Sequence, residues 1–270
     1  MRRLHAGLGA TYFLDDADAD APKLVTVLDD EAPAPERLLE LETEHRITRD
    51  LEIPGVRRAL RRGVVDGRPA LYCSWFAGSP LEEVFATTRQ PLERTLDLAI
   101  KAAELVSRLH AARVLHGRLG PGAFRVDAAL RELELSGLGF GTRLDTELPY
   151  DGRYFGGDQR SPYASPEQTG RMNRPVDWRS DLYSLGATLY LMFTGQPPFE
   201  AADAGELAYR LIAVKPQPPR ALVAELPEML SEITLKLLAK DAEDRYQSAD
   251  ALRADLEHCQ KHWAATRQPL

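Results

Sequence analysis

The side chains able to do chemistry are scattered along the 270-residue chain, and few of them stand at an informative spacing. Gly7-Leu8-Gly9 could lay backbone N–H groups over a phosphate, but one G-x-G is a weak signal. Tyr12 stands where a third glycine would allow close approach, so the stretch reads as a hairpin. Lys23, Glu44 and Asp127 are a cation and two carboxylates, and no spacing makes them a set. His110 reads as a partly buried helix-end residue rather than a ligand. Cys73 and Cys259 are the only cysteines, too few and too far apart for a disulfide framework or a zinc site.

Composition narrows the partners. With 34 basic and 41 acidic residues the formal charge is -7, without the basic excess of a nucleic-acid binder. Asp15, Asp16, Asp18 and Asp20 read as a solvated connection. No apolar segment follows Arg2 and Arg3, and no run of about 18 apolar residues occurs, so a cytoplasmic chain that neither enters nor crosses a membrane is expected.

Positioning elements follow from pattern. The β-branched run around Leu24–Leu28 predicts a strand. Pro33 to Leu51 predicts an amphipathic helix, with Leu38, Leu39, Leu41, Ile47 and Leu51 on its apolar side. Two strands, Val56 to Val65 and Pro69 to Trp75, meet at Asp66-Gly67, a tight-turn dipeptide. A long helix spans Pro91 to Ala112. Ser161 to Phe199 organises the rest: a turn-rich half broken by prolines, then from Asp181 a helix apolar on nearly every face, stopped at Gly195. Helical periodicity returns over Ala204 to Val214, Leu226 to Ala239 and Ser248 to Trp263, with Ser248 as an N-cap.

Within that stretch, Ser165-Pro166-Glu167, Ser180-Asp181-Leu182-Tyr183-Ser184-Leu185-Gly186 and Thr194-Gly195-Gln196-Pro197-Pro198-Phe199 resemble the activation-segment end and central helix of eukaryotic-type Ser/Thr protein kinases. Three motifs in order and at spacing are far more specific than one. The wording SPEQTGRMNR is similar to the N-terminal kinase-like domain of large bacterial signalling proteins that continue into an ATPase-like module, a GAF domain and a histidine kinase, modules that these 270 residues do not include. The resemblance implies an α+β, bilobal kinase-like fold in one domain over residues 1–270. A β-rich N-lobe would span about 1–76, a hinge about 75–79 around Trp75–Gly78, and a helical C-lobe about 80–265.

The resemblance also places the family's catalytic positions, and each holds another residue. Thr26 stands for the phosphate-binding lysine. In His116-Gly117-Arg118-Leu119-Gly120-Pro121-Gly122-Ala123, Arg118 replaces the proton-accepting aspartate, and a guanidinium is no base at neutral pH. Gly120 replaces a lysine and Ala123 the metal-binding asparagine. Gly137-Leu138-Gly139 lacks the magnesium carboxylate. Glu44 matches the regulatory-helix glutamate, a surface-facing glutamate being the alternative. His116, Glu167, Asp181 and Arg245 match scaffold residues, with Glu167 and Arg245 as a buried ion pair. The expectation is therefore a pseudokinase, not an enzyme. No catalytic or metal-binding residue is expected, and no cofactor, with ATP and magnesium binding lost or weak. Its partners would be signalling proteins or further domains of the same polypeptide, without nucleic acid or membrane. An atypical active Ser/Thr kinase and a magnesium-independent nucleotide switch are the alternatives.

Overall fold

β1 (Arg2–Gly7) and β2 (Ala10–Asp15) form the hairpin expected around Gly9, whose φ of 73° lies in the left-handed region that favours glycine. The computed structural model describes residues 1–7, 9–18, 21–144 and 161–266; Leu8 of the G-x-G run and Asp20 of the acidic run lie outside the described residues. β3 (Lys23–Leu28) follows, then α1 (Pro35–Thr48), β4 (Ala59–Val65) and β5 (Arg68–Ser74). These five strands make one antiparallel sheet in the order β1-β2-β3-β5-β4. Asp66 and Gly67 both have positive φ, 48° and 77°, the geometry a two-residue hairpin demands.

Strand alternation decides what the sheet offers to its neighbours. Leu24 and Leu28 pack with Leu41 and Leu71 on one face, while Val25 and Val27 pack with Ala70 and Tyr72 on the other. Thr26 shares the Leu24 face. Lys23 sits on the opposite one.

The helical part begins after β6 (Ser79–Pro80) with α2 (Leu81–Thr87) and α3 (Leu92–Ala111). Short strands β7 (Val114–Leu115), β8 (Phe124–Val126), β9 (Leu133–Leu135) and β10 (Thr142–Arg143) carry the loops beneath the large sheet, in the pairings β10-β7 and β6-β8-β9. α4 (Trp178–Thr194) is the central helix, and every residue from Ser180 to Phe193 is buried. It starts three residues before Asp181 because Asp177 and Ser180 form a capping box. Gly195, φ 82°, ends it as expected. α5 (Ala204–Ala213), α6 (Pro219–Leu222), α7 (Glu228–Leu237) and α8 (Ala249–Thr266) complete the bundle, and the Ser248 hydroxyl accepts from the Ala251 N–H at 3.1 Å. A small β-sheet N-terminal part and a larger helical part give the α+β, kinase-like architecture. Among the described residues no helix is long and apolar enough to cross a membrane.

α1 departs from its expected apolar side. Leu39 is 41% exposed, whereas Thr43 and Thr48 are buried. The helix is covered on two sides, by the sheet and by the Leu138–Phe140 turn, so position outranks polarity. Thr48 is buried at little cost because its hydroxyl donates to the Glu44 carbonyl at 2.7 Å and accepts from the Ala59 N–H at 3.0 Å.

α4 and α7 pack closely at Gly186. A Cβ there would fall inside the Leu237 side chain and would meet its backbone carbonyl carbon at 3.4 Å. Helix propensity favours alanine over glycine by about 1 kcal/mol, but overpacking a core costs about 1–3 kcal/mol. With backbone behind the side chain, relief is limited and the clash should win. Gly186→Ala is expected to lower the urea midpoint without changing the slope of the transition; a raised midpoint would refute the close approach.

Candidate functional site

A cleft of about 450 Å³ opens between the Thr26 face of the sheet, α1 and the loops at 116–123 and 137–140. Thr26 and Tyr12 are cross-strand partners, so both project into it from above. The Tyr12 ring stacks on His5 with centroids 4.4 Å apart. Burial, with Glu44 nearby, pushes its phenol above the ordinary value, so it stays a hydrogen-bond donor at neutral pH.

The floor is fixed from α4. The Asp181 carboxylate is 1% exposed and accepts the backbone N–H groups of His116 at 2.8 Å and Gly117 at 3.0 Å. His110 Nε2 lies 3.0 Å from the same carboxylate, so this residue is a scaffold partner at the helix end, as its sequence position suggests. Burial holds His116 below the usual imidazole range, which keeps it neutral. Its Nε2 donates to the Ser136 carbonyl at 3.0 Å, and Nδ1 accepts from the Arg118 N–H at 3.3 Å. The backbone carrying Arg118 is thus held at several points. The Arg118 guanidinium, half-buried, lies 4.6 Å from the Phe140 ring centroid.

The structure gathers most of the expected positions at this cleft. Thr26, Glu44, Arg118, Gly120, Ala123 and Gly137 all line it. Gly120 faces Tyr163, whose ring would lie 3.5 Å from an added Cβ. Gly137 has φ 83°, and Leu138 is fully buried below α1. Lys23 and Asp127 do not join the lining. Asp127 instead accepts from the Arg131 and Glu132 N–H groups at 2.6 and 2.9 Å, holding its own turn.

Glu44 is not the surface glutamate that the alternative reading allowed. Burial pushes its carboxyl above the ordinary value, while Arg57 and the Gly137 backbone N–H support the ionised form. Glu42, two residues away, is the solvent-facing one and pairs with Arg62 at 2.5 Å.

Three charged residues outside the cleft lining, Arg57, Glu134 and Arg125, carry no signal in the sequence. Arg57, 9% exposed, places Nε 2.9 Å from the Glu134 carboxylate, itself 6% exposed. The two are 77 residues apart, and no motif links them. Arg125, on β8, reaches the Gly78 carbonyl in the connection from β5 to β6, and its buried Nε has no hydrogen-bond partner among the described residues.

Away from the cleft, Glu167 and Arg245 form the expected ion pair, with contacts of 2.7 and 2.9 Å. Arg245 also donates to the carbonyls of Ala239, Arg179 and Lys240, and Glu167 accepts from the Ser180 hydroxyl at 2.6 Å. Every charged atom of the pair is therefore met, which is what permits its burial.

Sheet, inward glutamate, cleft, and a loop tied to the central helix define a kinase-like fold, and comparison with known proteins points the same way. No family model matches the chain. It is 32% identical over 197 residues to a "probable serine/threonine-protein kinase" of Streptomyces coelicolor, covering 71% of this chain and 28% of that protein. It is 29% identical over 191 residues to the serine/threonine-protein kinase PknB of Mycobacterium leprae, covering 70% of this chain and 30% of the relative. The hybrid signal transduction histidine kinase G of Dictyostelium discoideum is 50% identical over 95 residues, 35% of this chain and 3% of its own length. The chain thus spans less than a third of each of these relatives.

Two expectations from the sequence are overturned. A non-enzyme was expected, but relatives over about 70% of the chain are named as Ser/Thr protein kinases, which points to kinase activity. The expectation of no cofactor falls with it, because such kinases use ATP and magnesium. The physical reason is that Thr26, Arg118, Ala123 and Gly137 were read position by position. A substitution at one position says nothing about what Glu40, Glu44, Arg37 and Arg118 can supply from elsewhere in the same cleft.

Proposed function

We propose that residues 1–270 act as one kinase-like domain that binds an ATP-type nucleotide in this cleft and serves as a regulatory, protein-interacting module of bacterial signalling in the cytoplasm. Its partners are signalling proteins or further domains of the same polypeptide, without nucleic acid or membrane. The observation that carries this reading is the cleft itself, whose floor is anchored by Asp181 to the central helix, buried from Ser180 to Phe193. Among the described residues no group of three His, Cys, Asp or Glu converges on a metal position. A magnesium ion would therefore rely mainly on the nucleotide's phosphates. A second reading, an atypical Ser/Thr protein kinase, is favoured by the names of the relatives; of Lys23, Glu44 and Asp127 only Glu44 lines the cleft.

One set of measurements tests both. A ligand at 100 times its Kd stabilises the folded state by about 2.7 kcal/mol, so millimolar ATP should raise the melting temperature saturably. No shift, with or without magnesium, would refute the nucleotide reading. Magnesium-dependent transfer of γ-phosphate that Glu44→Gln abolishes would establish the kinase reading.

A further inference from the structure

Arg118 is a cation of the cleft lining for which no salt bridge forms among the described residues. Glu40 is engaged by Arg37, and Glu82 accepts from the Tyr163 hydroxyl at 3.1 Å. Glu44 faces Arg57 and the Gly137 N–H. Arg118 has the Phe140 ring 4.6 Å away, and the Glu40 carboxylate favours its charged form from a distance while bonding to Arg37. A guanidinium stays protonated at any ordinary pH, so this cation cannot escape partial desolvation by neutralising. Its five N–H donors form a planar fork that matches two oxygens of a phosphate. Across the cleft, the Tyr12 hydroxyl offers a further donor.

We propose that Arg118 is the phosphate anchor of this cleft, holding the polyphosphate of an ATP-type nucleotide by bidentate, charge-assisted hydrogen bonds, with the Tyr12 hydroxyl as a second donor. This deepens the nucleotide reading above and rests on it. The position read as a lost base then has a function of its own: the positive charge that Thr26 does not supply from the sheet comes from the floor. The loop that carries Arg118 is held by Asp181, His116 and Ser136, so the fork is presented by a fixed backbone.

The test is equilibrium binding of ATP, AMP, adenosine and inorganic tripolyphosphate to the wild-type chain, Arg118→Ala, Arg118→Lys and Tyr12→Phe, with circular dichroism melts to verify folding. Loss of a hydrogen-bonded charge is expected to weaken ATP binding by about tenfold to a hundredfold in Arg118→Ala. Adenosine binding should be unchanged, and Arg118→Lys should fall between. Tyr12→Phe should lose less than Arg118→Ala. Wild type that binds ATP, with Arg118→Ala within about twofold of it, would overturn the anchor while leaving the nucleotide reading intact. Tripolyphosphate bound in an Arg118-dependent way without any ATP binding would keep the anchor and refute the nucleotide. Neither ligand binding would refute both.

Discussion

Arg245→Ala is expected to lower the unfolding free energy by about 3–5 kcal/mol, because it leaves the Glu167 carboxylate buried beside a hydroxyl and no cation. For a chain of this size that corresponds to a fall of roughly 10 °C in melting temperature. The Arg245 side chain is fully buried and bridges three elements at once: the Glu167–Thr169 turn, the start of α4 and the segment after α7. Glu167→Gln should cost less, since glutamine can still accept from Ser180 and Arg245. A double-mutant cycle should show strong coupling between the two positions; additivity would refute the pair as a unit. The pair also sets an acid limit. Burial alone would raise the Glu167 carboxyl, but the hydrogen bonds and charge of Arg245 hold it below its ordinary 4.5. With the folded value depressed, the stabilisation is fully present above the unfolded carboxylate range and is lost as pH falls below about 4.5 through the folded value. In Arg245→Ala this loss on acidification should shrink.

That pair was legible because the kinase resemblance matches both Glu167, within Ser165-Pro166-Glu167, and Arg245 to scaffold residues of the family. The buried central helix was legible because an all-round apolar run admits few other fates. Glu44 was only half legible: the α1 pattern left a surface-facing glutamate open, because polar Thr43 and Thr48 take core positions that the apolar spacing does not reveal. Arg57 with Glu134, and Arg125 with Gly78, were not legible at all. Their partners are brought together by the packing of strand ends far apart in sequence, and an isolated arginine in a strand has the composition of a surface residue. Thr26, Arg118, Gly120, Ala123 and Gly137, the positions the resemblance names, line one cleft. What the cleft can bind was not legible, because a substitution at one position does not decide the chemistry of a cleft lined from several walls.

Asp181→Ala should be the most damaging single change for the site. The substitution strands the buried N–H groups of His116 and Gly117, each worth about 1–3 kcal/mol when left unsatisfied, and removes the acceptor beside His110. A loss of about 2–6 kcal/mol in stability is expected from the two N–H groups. Stability alone would not distinguish Asp181 from any other buried polar residue. The loop provides the sharper readout. His116 and Gly117 amides should exchange with solvent much faster in Asp181→Ala than in Arg245→Ala at matched stability, since only the first change removes their acceptor. Asp181→Asn, with one oxygen in place of two and an N–H₂ turned toward another donor, should satisfy at most one of the two amides. If Arg118 anchors phosphate from this loop, any binding of tripolyphosphate should weaken in Asp181→Asn even at temperatures where the chain remains fully folded. Retained amide protection at both positions would show that the loop keeps its shape without α4, and that Asp181 is not what presents Arg118 to the cleft.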